Sequence, residues 1–274
     1  MQTDLLFMPM GASASAICDA AVAAEAAGFD GAWTWDHLRA TGGEGPTAEC
    51  WTTLTAVAAR VPRIAVGPLV LNVINRHPGV LANMAATLQE LSGGRLILGI
   101  GAGGGRSMEY AREQLAIGQP VESDRVRAQR VIEAVQVIKR LWGGDTSAFE
   151  GRHYRLDRPS GYLRPNPLPS IVVGAFGARM ADVAGRYGDG LNTQAGHPQL
   201  RTLIEVARKA REASGRDPAG LLVTVFAGLS ERWLTPASRE REAMESLGVE
   251  RLILLLQPPF DAAGIADAGR LLRG

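Results

Sequence analysis

Gly94-Arg95-Leu96-Ile97-Leu98-Gly99-Ile100-Gly101-Ala102-Gly103-Gly104-Gly105 runs an apolar segment, Leu96 to Ile100, straight into a glycine-rich loop. A strand that ends in glycines brings bare backbone N–H groups close to an anionic or planar ligand, because no Cβ stands in the way. The stretch nevertheless differs from a dinucleotide-binding fingerprint. Its glycines fall as GxGxG, no helix opens directly after them, and no strand ending in Asp or Glu follows about 20 residues on. Its meaning therefore depends on the units around it.

Those units alternate from one end of the chain to the other. Apolar or β-branched runs predict strands at Leu5–Met8, Gly31–Trp35, Ile64–Leu71, Leu96–Ile100, Ile171–Val173, Gly190–Thr193, Leu221–Phe226 and Leu252–Leu256. Helical patterns fall between them at Ser15–Ala27, Ala48–Arg60, Gly79–Leu91, Asp124–Trp142, Ala178–Tyr187, Pro198–Ser214, Pro236–Leu247 and Ala262–Leu272. Gly28 is placed to close the first helix and Ser123 to cap the fourth, where Val131, Ile132, Val135, Ile138 and Trp142 form one apolar stripe. Leu252-Ile253-Leu254-Leu255-Leu256 is apolar at every position, the mark of a strand buried on both faces. Eight strand–helix units in 274 residues predict a (β/α)8 barrel, with an open doubly wound sheet as the alternative.

One region breaks the rhythm. Residues 143–169 hold Phe149-Glu150-Gly151-Arg152-His153-Tyr154-Arg155-Leu156 and then Pro159, Pro165, Pro167 and Pro169. They read as a short hairpin and an extended connection, an insertion between the fourth and fifth strands that adds to the excess material of 104–123. No linker or low-complexity tract divides the chain, so residues 1–274 are read as one domain.

A hydrophobic content of 46%, with 21% charged residues, suits a protein with a substantial core. A net charge of +1 carries no basic excess, so neither nucleic acid nor a membrane surface is an expected partner. Cys18 and Cys50 have no metal-ligand spacing and read as reduced core residues of a cytoplasmic protein. Neither a signal peptide nor a membrane span is expected, since no apolar stretch reaches about 18 residues.

Active sites of such barrels form where the strands end. Asp36-His37 follows the second predicted strand; the histidine suits proton transfer near neutral pH, and the adjacent carboxylate is a candidate to orient it or to bind a ligand. Asn72 ends the third strand, where it is either a turn residue or a partner for a planar amide-containing ligand. His77, before Pro78, reads as a loop residue leading into a helix. Gly174-Ala175-Phe176-Gly177-Ala178-Arg179-Met180 opens a helix after the fifth strand, which makes either an anion pocket or a tightly packed turn. No metal site is predicted.

Taken together, Glu25-Ala26-Ala27-Gly28-Phe29-Asp30-Gly31 leading to Trp35-Asp36-His37, Arg76-His77-Pro78, Ala86 to Arg95, Leu98 to Gly103, Arg140-Leu141-Trp142, Phe149-Glu150-Gly151 and Ala184 to Asn192 resemble one family. It is that of the luciferase-like monooxygenases, in the branch that uses the deazaflavin coenzyme F420, and the resemblance spans Leu5 to Leu256. It implies a (β/α)8 barrel holding a flavin-like ring against strands two to four, with a non-proline cis peptide at Leu69-Val70. It implies that Asp36, Asn72, Ala102, Gly103 and Ser107 lie along the deazaflavin and its tail, and that Phe176, Gly177, Arg179 and Met180 hold its phosphate. His37 matches a histidine proposed for proton transfer. Where sugar-phosphate dehydrogenases of the family carry an acid after Gly-x-Gly, this chain has Gly104, which argues against a sugar phosphate as substrate.

The expected function is hydride transfer between F420 and a small organic substrate, with His37 as proton donor or acceptor and Trp35, Asn72, Gln194, Phe226 and Gln257 at the substrate mouth. The alternatives are an FMN-dependent monooxygenase, supplied with reduced flavin by a separate reductase and using O₂, and a non-catalytic ligand-binding barrel. A homodimer is expected, as is common in the family.

Overall fold

A computed structural model describes residues 1–40 and 45–274. Its strands are β1 (Gln2–Phe7), β2 (Gly31–Thr34), β3 (Ala65–Pro68), β4 (Leu71–Asn72), β5 (Ile97–Gly101), β6 (Phe149–Glu150), β7 (Arg155–Leu156), β8 (Ser170–Gly174), β9 (Gly190–Gln194), β10 (Leu222–Gly228) and β11 (Arg251–Leu256). Its helices are α1 (Ala14–Ala27), α2 (Cys50–Arg60), α3 (Pro78–Leu91), α4 (Ala111–Ala116), α5 (Asp124–Gly143), α6 (Ala178–Arg186), α7 (Leu200–Glu212), α8 (Glu231–Leu234), α9 (Arg239–Ser246) and α10 (Ala262–Arg273).

The main sheet runs in the order β3-β2-β1-β11-β10-β9-β8-β5-β4. Its two ends, β3 and β4, are consecutive pieces of a single stretch of chain, separated only by Leu69 and Val70, whose peptide bond is cis. A parallel bridge from Val66 to Leu96 joins β3 to the residue before β5. The sheet therefore closes on itself as the expected barrel, with β3 and β4 sharing one of eight strand positions, and the open sheet is excluded. No helix among the described residues is long and apolar enough to cross a membrane.

Both faces of the strands are buried, which explains the uninterrupted apolar run Leu252–Leu256. On β1 and β11, Leu5, Phe7, Leu252 and Leu254 pack outward with the helices, while Leu6 and Ile253 point into the barrel with Trp33 and Leu69. Below that inner cluster, Arg251 donates to both oxygens of Asp4 at 2.8 Å, and the Trp33 indole donates to Asp4 at 2.8 Å. Burial pushes the Asp4 carboxyl up, against the opposing pull of Arg251. A charge in that position is tolerated because it is paired and hydrogen-bonded.

Gly28 closes α1 at φ +91, as expected of a left-handed C-cap. Ser123 sits at the N-cap of α5, but its hydroxyl makes no capping bond; Asp124 in the first turn pairs with Arg127 instead. His77 caps α3, its Nδ1 accepting from the Gly79 N–H at 3.1 Å. The hairpin of the inserted region is present as antiparallel β6 and β7. Cys18 and Cys50 are free thiols, and burial pushes both up.

Candidate active site

The glycines of β5 and its loop serve the barrel wall first. A Cβ on Gly99 would lie 2.1 Å from the Pro68 carbonyl oxygen, one on Gly101 would lie 2.5 Å from Val70 Cγ2, and one on Gly103 would lie 2.6 Å from Asn72 Nδ2. Their missing side chains admit the strand broken at Leu69-Val70, so the sequence expectation of ligand-facing backbone has to be narrowed. The loop carbonyls are also engaged, since the Arg127 guanidinium donates to both Ala102 and Gly103. Ser107 is exposed beyond them, on the rim of a cavity of about 620 Å³ with Arg106, Met108, Arg112 and Leu115.

At the carboxyl end of β2, Asp36 and His37 point to different partners. Asp36 accepts from the Asn72 N–H at 2.9 Å and from two nitrogens of Arg76 at 2.8 and 2.9 Å, and its side chain is 1% exposed. Arg76 continues to Glu49, which accepts from the Trp51 and Thr52 N–H groups and so caps α2. Burial pulls the Arg76 guanidinium down, but the bonds to Asp36 and Glu49 outweigh it and hold it above its ordinary value.

The carboxylate at His37 is Glu113, from α4. Its Oε1 and Oε2 lie 3.2 and 3.3 Å from His37 Nδ1, and Oε2 also accepts from the Leu38 N–H at 2.9 Å. Tyr110 stacks on the imidazole at 4.3 Å between centroids and 21° between planes, and Trp35 meets it edge-on at 5.7 Å. Of the two roles the sequence offers for Asp36, orienting His37 is therefore corrected: Glu113 holds that place. Neighbouring side chains on extended backbone point opposite ways, which puts Trp35 with His37 and Asp36 against Arg76.

Asn72 uses its carboxamide oxygen to accept from Ile74 N–H, while its buried Nδ2 has no partner among the described residues. Leu69 lies in the inner cluster with Leu6, Trp33 and Ile253, and Val70, Trp35, Met8, Phe226 and Leu255 pack against it from the mouth side. Across the mouth, Phe176 is 57% exposed and meets the rings of Phe226 and His197 at 6.1 and 6.5 Å. Gln194 pairs in register with Phe226 and is exposed, as is Gln257 just past β11. Gly177 stands at the N-cap of α6 in extended conformation, with no side-chain cap and nothing within 4 Å of its missing Cβ. The first N–H groups of α6, which include those of Arg179 and Met180, are left to an outside acceptor. Among the described residues, no group of three or more His, Cys, Asp or Glu side chains could hold a metal ion.

A sequence profile of the luciferase-like monooxygenase family matches residues 5–266. The chain belongs to the luciferase-like monooxygenase family. Within that family it is 39% identical, over 74% of its length, to an F420-dependent glucose-6-phosphate dehydrogenase of Nakamurella multipartita, and it covers 59% of that protein. It is 37% identical, over 73% of its length, to an F420-dependent hydroxymycolic acid dehydrogenase of Mycobacterium tuberculosis, and it covers 55% of that protein. The chain thus spans little more than half of the relatives it matches. A solved F420-dependent secondary alcohol dehydrogenase in complex with an F420-acetone adduct shares its fold. That structure superposes with a TM-score of 0.84 and 20% identity, over 100% of this chain and 99% of its own.

Proposed function

We propose that the protein is an F420-dependent oxidoreductase that moves hydride between the deazaflavin and a small uncharged alcohol or carbonyl compound, with His37 as the proton donor or acceptor. One observation carries this reading: at the carboxyl ends of neighbouring strand positions stand a histidine bonded only through Nδ1 among the described residues and a buried amide, Asn72 Nδ2, that lacks an acceptor among them. The kinship with two F420-dependent dehydrogenases supports the choice of cofactor.

The residues present fit that cofactor. Asn72 Nδ2 supplies an unclaimed donor for a ring carbonyl, and Gly177 with the uncapped start of α6 offers open space and free N–H groups for a phosphate. When bound, F420 supplies the hydride-accepting carbon. The chain would supply the walls: Leu69, Val70, Gly101 and Ala102 would back the ring, and Trp35, Phe176 and Phe226 would surround the substrate. Asp36 acts at one remove, since its carboxylate fixes the Asn72 backbone and Arg76. The mouth residues Met8, Trp35, Val70, Phe226, Leu255, Gln194 and Gln257 carry no charge, which favours a neutral substrate over a sugar phosphate.

The reading extends to a single domain over residues 1–274, to the cytoplasm, and to a homodimer formed on the apolar groove of about 700 Å³ between α2, α3 and residues 160–162, where Val80, Met84, Leu91 and Tyr162 lie. A separate reductase would supply reduced cofactor where the cell runs the reaction as a reduction. The test is a fluorescence titration of apo-protein with F420 and with FMN, followed by a screen of secondary alcohols. Micromolar F420 binding that is lost in Gly177→Trp supports the proposal. Preference for reduced FMN with O₂ consumption moves the protein to the monooxygenases, and binding of neither leaves a barrel with another ligand.

A further inference from the structure

We propose that Glu113 is the positioning residue of His37, holding the imidazole with its Nδ1–H on the carboxylate so that Nε2 is the atom offered to substrate. The inference rests on the reading of His37 as the proton-transfer group and adds the residue that decides which of its nitrogens does the work.

The geometry leaves little freedom. Both Glu113 oxygens approach Nδ1, at 3.2 and 3.3 Å, and Oε2 is also tied to the Leu38 N–H, so the carboxylate cannot swing away without giving up a second bond. An ionised carboxylate only accepts, so the ring nitrogen facing it must carry the hydrogen. A neutral His37 then has its lone pair on Nε2, and no described residue occupies that nitrogen. Tyr110 covers one face of the ring and Trp35 abuts it edge-on, which holds the ring plane. The Glu113 side chain is 5% exposed against 20% for His37, so the carboxylate sits behind the ring and the ring faces outward.

In the oxidising direction, the carbinol C–H bond of the substrate would break and its electron pair would leave with the hydrogen as hydride, which the deazaflavin would accept when bound. The O–H bond breaks, its proton passes to Nε2, and the C=O bond forms. His37, now an imidazolium with both nitrogens protonated, is held by Glu113, which stays ionised throughout, and Nε2 returns the proton to water. The reverse direction uses the same groups in the opposite order. Glu113 touches neither substrate nor cofactor, and its contribution is the tautomer and the orientation of His37.

The experiment is a long-range ¹H–¹⁵N NMR spectrum of the histidine-labelled protein at about pH 8.5, well above the ordinary histidine range. His37 is assigned by the signal lost in His37→Gln. The wild type is expected to show a single tautomer with a pyrrole-type Nδ1 and a pyridine-type Nε2. Glu113→Gln retains a carbonyl acceptor and keeps that tautomer, whereas Glu113→Ala releases the ring into the mixture seen for free imidazole. With a substrate found by the alcohol screen, kcat of Glu113→Ala falls between about 10²- and 10⁴-fold while F420 affinity is unchanged. A wild type protonated at Nε2 overturns the proposal, and so does an alanine variant with the wild-type tautomer or kcat. If Glu113→Ala does not fold, the wild-type and glutamine spectra decide. Failure of F420 to bind a protein whose His37 is locked as described counts against the cofactor reading and leaves the positioning intact.

Discussion

Gly99→Ala and Gly177→Ala separate the two uses of glycine in this barrel. Neither residue has a left-handed φ, so the contrast between them comes from space alone. At Gly99 the new Cβ would stand 2.1 Å from the Pro68 carbonyl oxygen and 3.1 Å from Val70 Cγ1. Backbone, not a flexible side-chain tip, has to yield, because Pro68 ends β3 and Gly99 is the middle residue of β5. Overpacking of this kind costs typically about 1–3 kcal/mol, and a contact this short belongs at the upper end. At roughly 2–4 °C per kcal/mol for a chain of this size, the thermal midpoint should fall by about 6–12 °C. At Gly177 no atom lies within 4 Å, so alanine there should stay within about ±0.5 kcal/mol and shift the midpoint by less than about 2 °C. Differential scanning calorimetry of the two variants beside wild type decides the matter. A Gly99→Ala midpoint within about 2 °C of wild type would refute the assignment of the β5 glycines to wall packing.

Further outcomes follow from the buried charges. Arg76→Met leaves the Asp36 carboxylate, 1% exposed, without its cation and with the Asn72 N–H as its remaining donor, and should cost about 3–5 kcal/mol in urea unfolding; adding Asp36→Asn recovers part of the loss. Arg251→Met strands Asp4 in the same way. Burial raises the Asp4 carboxyl and Arg251 opposes it; with Arg251 gone, protonation relieves the stranded charge, so the variant's deficit at neutral pH should shrink as pH falls towards the ordinary carboxylate range. Glu49→Ala removes the cap of α2 at about 1 kcal/mol. Burial works to raise the Glu49 pKa, but the bonds from Thr52, Trp51 and Arg76 leave it lowered. Its stabilisation is therefore present above the ordinary carboxylate range and lost as pH falls through the depressed value, and melting curves of the two proteins should converge in acid.

The barrel was legible because its strand–helix units recur evenly and runs such as Leu252–Leu256 are apolar at every position, a pattern that follows from burial on two faces. The hairpin of β6 and β7 was legible for the opposite reason, as a local break in that rhythm. The break at Leu69-Val70 came from family resemblance rather than from the residues themselves. Glu113 was not legible. It lies 76 positions from His37, on the six-residue helix α4, too short to show a period, and Glu109 and Glu122 in the same segment were equal candidates. The Arg76–Asp36 pair is legible in principle, since a cation after one strand stands beside an acid after its neighbour. The role of the β5 glycines was half legible. Absence of a Cβ was read correctly, but only packing reveals that the beneficiaries are Pro68, Val70 and Asn72 rather than a ligand alone.

The Asp4–Arg251–Trp33 cluster, roofed by Leu6, Leu69 and Ile253, makes the barrel a cul-de-sac. Among the described residues, a molecule seated between Trp35 and Phe226 would meet a closed floor below it. If cofactor and substrate both enter above that floor, as the proposed function requires, they would load and unload like items in a stack, the deeper one first in and last out.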